Sequence, residues 1–125
     1  MLVVLVLIFL ALPLLLKAPD VIREFAYPLE YEETIQAAAA EYAVEAALIA
    51  AVIRTESGFD PEVESSQGAY GLMQIQPETA RFISERSGIT GDYRGPKTNI
   101  KMGTWYLNYL QYRYDGDERL ALAAY

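Results

Sequence analysis

Glu56, followed at once by Ser57 and Gly58, is the side chain whose position first suggests chemistry. The sequence contains neither histidine nor cysteine. That removes the commonest general base, serine–histidine nucleophiles, thiolate chemistry and most zinc sites. Acid/base work must come from Asp, Glu, Lys or Tyr. Glu56 closes a predicted helix running from 44 to 55 or 56. At about 100° per residue it falls inside the arc of about 140° that holds Leu48, Val52, Ile49 and Ile53. A carboxyl carried to that apolar side is desolvated, which raises its pKa, and the negative end of the helix dipole acts in the same direction. A general acid working near neutral pH needs such a shift. Glu45 shares the arc but lies in the first turn, where a carboxylate is favoured and reaches solvent. On position alone, Glu56 also reads as a solvated helix-end glutamate.

The second candidate stretch is Gly68-Ala69-Tyr70-Gly71-Leu72-Met73-Gln74-Ile75-Gln76-Pro77. Two glycines bracket a small residue and an aromatic one, so the backbone can turn sharply and approach a ligand closely. Gln74 and Gln76 offer amide donors and acceptors suited to sugar hydroxyls and acetamido groups. Read bare, the same stretch fits a helix-entry loop with surface glutamines. The chain has ten Tyr, four Phe and one Trp. Five of them recur at helical spacing along 99–114, where Ile100, Gly103, Tyr106, Leu107, Leu110 and Tyr114 form one face. Met102, Trp105, Tyr109 and Tyr112 form another. Two apolar faces predict a central, enclosed helix and assign these rings to packing. Tyr70 and Tyr93, in loops, stay as ligand-contact candidates.

These side chains need a helical frame. Apolar residues recur at helical spacing from Tyr31 onward, without sustained two-residue alternation, so the fold class is all-α. Helices are predicted over 32–42, over 44 to 55 or 56, from Pro77 to a stop at Gly88, over 99–114, and from Glu118 behind an Asp117 cap. Residues 18–30, with Pro19 and Pro28, read as a linker, and 31–125 as the catalytic domain. Residues 1–17 form a hydrophobic segment whose first sixteen carry no charge. At about 24 Å of helix against a hydrocarbon core of about 30 Å, they read as an uncleaved membrane anchor or a cleaved signal. Their all-round hydrophobicity weighs against a buried helix of a soluble domain. Either way the rest of the chain is expected on the extracytoplasmic side. The Leu-Ala-Leu-Ala-Ala-Tyr run up to Tyr125 carries no stop signal, so the helical pattern is expected to continue past it.

The chain has 125 residues, enough for one small domain. Its net charge of -7, from 17 acidic and 10 basic residues without a basic patch, argues against a nucleic-acid partner.

Five segments in unbroken order carry a family resemblance: Glu56-Ser57-Gly58-Phe59-Asp60-Pro61; Gly68-Ala69-Tyr70-Gly71-Leu72-Met73-Gln74; Thr98-Asn99-Ile100; Trp105-Tyr106-Leu107; and Ala123-Ala124-Tyr125. Together they resemble the soluble-type lytic transglycosylases, whose catalytic domain is lysozyme-like. The resemblance spans about 31–125. It implies that Glu56 is the single catalytic glutamate, with Ser57 beside it supporting its orientation. It implies that Ser65 contacts substrate near the cleaved bond and that Gln74 lines the cleft, with Gln76 a lesser candidate. Tyr125 matches the tyrosine of an Ala-Tyr-Asn motif near the catalytic carboxyl, whose asparagine is expected immediately afterwards. The implied partner is the glycan strand of peptidoglycan, with no metal or cofactor. The implied reaction cleaves the bond between N-acetylmuramic acid and N-acetylglucosamine and leaves a 1,6-anhydro product. Two other readings stay open: a lysozyme-type hydrolase on the same scaffold, and a non-catalytic, membrane-tethered wall-binding module.

Overall fold

A computed structural model describes residues 29–125. Among them five helices follow one another without a strand: α1 (Leu29–Tyr42), α2 (Ala46–Glu56), α3 (Pro77–Ser87), α4 (Pro96–Arg113) and α5 (Glu118–Ala124). The all-α expectation is met. The hydrophobic segment 1–17 and residues 18–28 of the expected linker lie outside the described residues. Helix α1 takes Leu29 and Glu30 from the stretch expected to be linker. No helix among the described residues is long and apolar enough to cross a membrane.

Helix boundaries follow local chemistry, with two departures from expectation. Between α1 and α2, Ala43 adopts a left-handed φ of 53°, and the Val44 N–H bonds back to the Ala39 carbonyl at 3.2 Å. Val44 is thereby a buried connector, not the first residue of a helix. Helix α2 starts two residues later, behind Glu45, whose carbonyl accepts from the N–H groups of Leu48 and Ile49. Helix α4 starts at Pro96, three residues before the expected 99, because the Gly95 carbonyl already accepts the Asn99 N–H at 2.8 Å. Pro96 occupies the first turn, where its missing N–H costs no helical bond. Asn99 therefore lies inside the helix. Helix α3 begins at Pro77 and is capped by Gly88, and Asp117 caps α5 by accepting the Leu120 N–H at 3.1 Å, all as read from the sequence.

Helix α4 runs through the middle and packs on α1, α3 and α5. Its Ile100, Met102, Leu107 and Leu110 are buried, as the two apolar faces required. Tyr112, assigned with them, is instead 87% exposed near the helix end, beyond the reach of the core. Phe82 of α3 meets Trp105, Tyr106 and Tyr109 edge-on, with centroids 5.4–6.4 Å away, so these rings do pack on one another. The segment between α2 and α3 folds over this frame and sends Leu72, Met73 and Ile75 fully into the core. It can sit so low because α4 has a gap at Gly103. A Cβ there would stand 2.8 Å from the Met73 Cβ and overlap its sulfur.

Candidate active site

Glu56 is the last residue of α2, and Gly58, at φ 62°, turns the chain away immediately afterwards. Val52, Ile49 and Ile53, its neighbours on the helical arc, are buried. Glu56 itself is exposed, because the apolar arc reaches it only where the helix runs out of core. The expectation that it would be carried into the core side thus holds for its direction and not for its depth. It lines a cavity of about 230 Å³ with Leu48, Ala51, Val52, Thr55, Leu122 and Tyr125. Those walls strip enough water from the carboxyl to hold its pKa above the ordinary carboxylate value, and desolvation is the cause.

Two tethers meet on the Gly71–Gln74 turn, one from the end of α2 and one from Tyr125. The Ser57 hydroxyl lies 2.8 Å from the Leu72 carbonyl oxygen and 3.1 Å from that of Ile53, and it accepts the Phe59 N–H at 3.2 Å. Its single proton favours the shorter bond, so Ser57 joins α2 to the turn. From the far side, the Tyr125 hydroxyl donates to the Met73 carbonyl at 2.9 Å. Part of the Tyr125 side chain reaches solvent while its hydroxyl is enclosed. Burial pushes that hydroxyl far above the usual phenol range, with Glu56 and Tyr106 adding to the shift. Glu56 and Tyr125 are therefore within electrostatic reach across the cavity.

The turn is held from beneath by Asn99, fully buried in the first turn of α4. Its Oδ1 accepts the Met73 N–H at 2.7 Å, and its Nδ2 donates to the carbonyls of Tyr70 and Tyr93 at 2.9 and 2.8 Å. Gly71, at φ 81°, makes room for it: a Cβ there would stand 2.8 Å from Nδ2. Sequence reasoning quoted Asn99 only as part of a motif and gave it no role. The signal was available, since an asparagine preceding Met102 and Gly103 at helical spacing is a polar group on a buried stripe.

The other anticipated residues are placed as follows. Gln74 adopts a positive φ of 50° and turns its amide nitrogen inward, onto the carbonyls of Val63 and Gly71 at 3.0 and 2.9 Å. Ser65 accepts the N–H groups of Gln67 and Ala69 and so shapes the loop before the glycines. Gln76 is exposed at the start of α3. The rings of Tyr70 and Tyr93 flank the Arg94 guanidinium, 5.0 and 5.9 Å from it. Only Glu56 and Tyr125 share the cavity. Ser57 and Gln74 meet the same turn through its backbone, while Ser65 and Gln76 lie apart. Two roomier cavities, of about 320 and 390 Å³, lie along α1 and the start of α4 and contain none of these residues. They collect exposed side chains such as Glu33, Glu41 and Lys97, so size is a poor guide to the chemistry here.

Residues 33–125 match the family model described as the transglycosylase SLT domain. A transglycosylase of Enterobacteria phage PRD1 is 42% identical over 97 residues, covering 78% of this chain and 34% of the relative. The soluble lytic murein transglycosylase of Salmonella typhimurium is 36% identical over 108 residues, covering 82% of this chain and 17% of the relative. Among solved structures, an inactive Glu-to-Gln mutant of the lytic transglycosylase Slt from Pseudomonas aeruginosa superposes with a TM-score of 0.75 at 30% identity. That match covers 81% of this chain and 17% of the other. The chain thus spans about a sixth to a third of the length of these relatives.

Proposed function

The chain belongs to the transglycosylase SLT domain family and has its lysozyme-like helical fold, and from that premise we propose that it cleaves peptidoglycan glycan strands with Glu56 as the single acid/base. The observation that carries the proposal is a lone carboxyl with a raised pKa in the wall of a mostly apolar cavity. Among the described residues no other carboxylate lines that cavity.

Protonated Glu56 donates its proton to the glycosidic oxygen between N-acetylmuramic acid and N-acetylglucosamine as the bond to the anomeric carbon breaks. The resulting carboxylate then removes the proton of the muramoyl 6-hydroxyl as that oxygen attacks the same carbon. The products are a 1,6-anhydromuramoyl end and a free N-acetylglucosamine hydroxyl. One carboxyl serves both steps, whereas two-carboxylate glycosidases place a second group to activate water or to bond the sugar. Ser57 and Gln74 support the turn beside Glu56. Tyr125 walls the cavity, Ser65 contacts substrate near the cleaved bond, and Gln76 is a lesser contact. Residues 1–17 anchor the chain with domain 31–125 on the extracytoplasmic side of the membrane, or export it and are cleaved. The Glu-to-Gln change that marks the Pseudomonas aeruginosa relative as inactive agrees with a catalytic glutamate.

The test is digestion of purified sacculi by the chain and by Glu56→Gln, with products weighed by mass spectrometry. Fragments one water lighter than hydrolysis products, absent with the variant, are the expected result. Hydrolysed ends would replace the anhydro mechanism with water attack, and activity surviving in Glu56→Gln would remove the acid/base assignment.

A further inference from the structure

The Leu72–Met73 peptide is bound at both of its polar ends. Its carbonyl receives the Ser57 hydroxyl at 2.8 Å, and its N–H donates to Asn99 Oδ1 at 2.7 Å. The next peptide is bound too, its Met73 carbonyl by the Tyr125 hydroxyl and its Gln74 N–H by the Gly71 carbonyl at 3.1 Å. Ser57 is the neighbour of Glu56, and Tyr125 faces it across the cavity. The tether beside Glu56 and the tether of Tyr125 therefore both end on the backbone that Asn99 grips. No other side chain among the described residues joins α4 to this turn by hydrogen bonds as Asn99 does, and all three of its bonds go to buried or half-buried backbone. An amide bound at both ends is polarised, so each bond strengthens the other.

We propose that Asn99 is a positioning residue for the reaction. It fixes the Leu72–Met73 peptide against α4 and thereby sets the distance between Glu56 and Tyr125. The inference deepens the catalytic reading and, for its consequence on rate, rests on it. Asn99 touches neither substrate nor reacting atoms. Its effect reaches Glu56 through one rigid peptide and the Ser57 hydroxyl, and reaches Tyr125 through the following carbonyl. Two glycines give the arrangement its room. Gly71 leaves space for the Asn99 side chain and Gly103 for the Met73 side chain, so the turn lies low enough to be gripped.

The experiment compares Asn99→Leu, which keeps the branching in a somewhat larger side chain and removes all three bonds, with Asn99→Ser, which leaves space for water to reach the freed backbone. Two readouts are taken on the intact chain: the titration of the Glu56 carboxyl by carbon NMR, and kcat and KM on purified glycan strands. A displaced Tyr125 admits water to the cavity, so the Glu56 midpoint falls toward the ordinary carboxylate value in both variants. The rate constant kcat per folded molecule falls about a hundredfold in Asn99→Leu, the cost of misplacing a catalytic group by about 1 Å, with KM little changed. Asn99→Ser lies between Asn99→Leu and the parent, and it decides the matter if the leucine variant does not fold. Variants that melt at lower temperature yet keep both kcat and the Glu56 midpoint would reduce Asn99 to a structural strut. The NMR titration requires no turnover. It separates failure of this inference from failure of the catalytic reading, which Glu56→Gln tests independently.

Discussion

Glu41 and Glu56 end successive helices, α1 and α2, and both side chains reach solvent, yet their surroundings push their pKa values in opposite directions. The Lys101 ammonium stands 3.0 Å from Glu41, and the Tyr42 hydroxyl donates to the same carboxylate at 2.9 Å. Those hydrogen bonds, Lys101 first, hold the Glu41 carboxyl below its usual value. Glu56 has no cation partner among the described residues, and the walls around it hold its carboxyl above that value. Both carboxylates face the negative end of a helix dipole, so the dipole does not separate them. The pair teaches that a helix-end glutamate becomes a proton donor through what is kept away from it, namely cations and water.

The widest gap between the two is expected in turnover. Glu56→Gln should lower glycan cleavage by about 10²–10⁴-fold, the usual contribution of a positioned acid/base, whereas Glu41→Gln should leave the rate of soluble fragment release unchanged. Equal losses in both variants would break the comparison.

Next in size is an effect on the scaffold beneath Glu56 alone. Gly103→Ala should destabilise the fold by about 1–3 kcal/mol in a denaturant titration, because the new methyl group drives into Met73. Ser57→Ala should cost about 1 kcal/mol by removing the bond to Leu72 and should lower the Glu56 titration midpoint. A midpoint that stayed put would show that the cavity walls hold Glu56 without that tether.

The smallest effects are in pH and salt, and their signs differ. A carboxyl whose folded pKa is raised binds its proton more tightly when folded. Stability relative to Glu56→Gln should therefore fall as pH rises from the ordinary carboxylate value through the raised one. For Glu41 the folded value is lowered. Stability relative to Glu41→Gln should be present above the ordinary value and be lost as pH falls through the lowered one. Added salt should weaken the Glu41 difference, an exposed ion pair, and leave the Glu56 difference in place. Melting curves of the parent and the two variants across pH, at low and high salt, measure all of this.

Much of the frame could be read from the sequence because its signals are local. Pro77, Gly88 and Asp117 marked helix ends by chemistry that acts within a turn, and the motif around Glu56 pointed to the acid. Pro96 carries the same kind of signal as Pro77, yet the apolar spacing starts the predicted helix only at 99, which hides the first turn of α4 and leaves Asn99 without a role. A helical projection gives Glu56 an angle and says nothing of depth, so it could not decide between the desolvated and the solvated reading of that side chain. Nor could the inward commitments of Ser57 and Gln74. Their carbonyl partners at Leu72 and Val63 lie 15 and 11 residues away and come near only once the turn has settled on Gly103. Nothing in the spacing of the sequence reports such meetings.

Helix α5 has seven residues, too few to persist by itself in water, and Ala121 is its one buried residue. Leu120 and Leu122 face outward, 52% and 39% exposed. Packing on α4 and the bond from the Tyr125 phenol to the Met73 carbonyl hold the helix in place. Leu122 and Tyr125 are also one side of the Glu56 cavity. Loss of that side would leave the already solvent-accessible carboxyl with less of the screening that raises its pKa. Amide hydrogen exchange in α5 would therefore time how often that screening is lost.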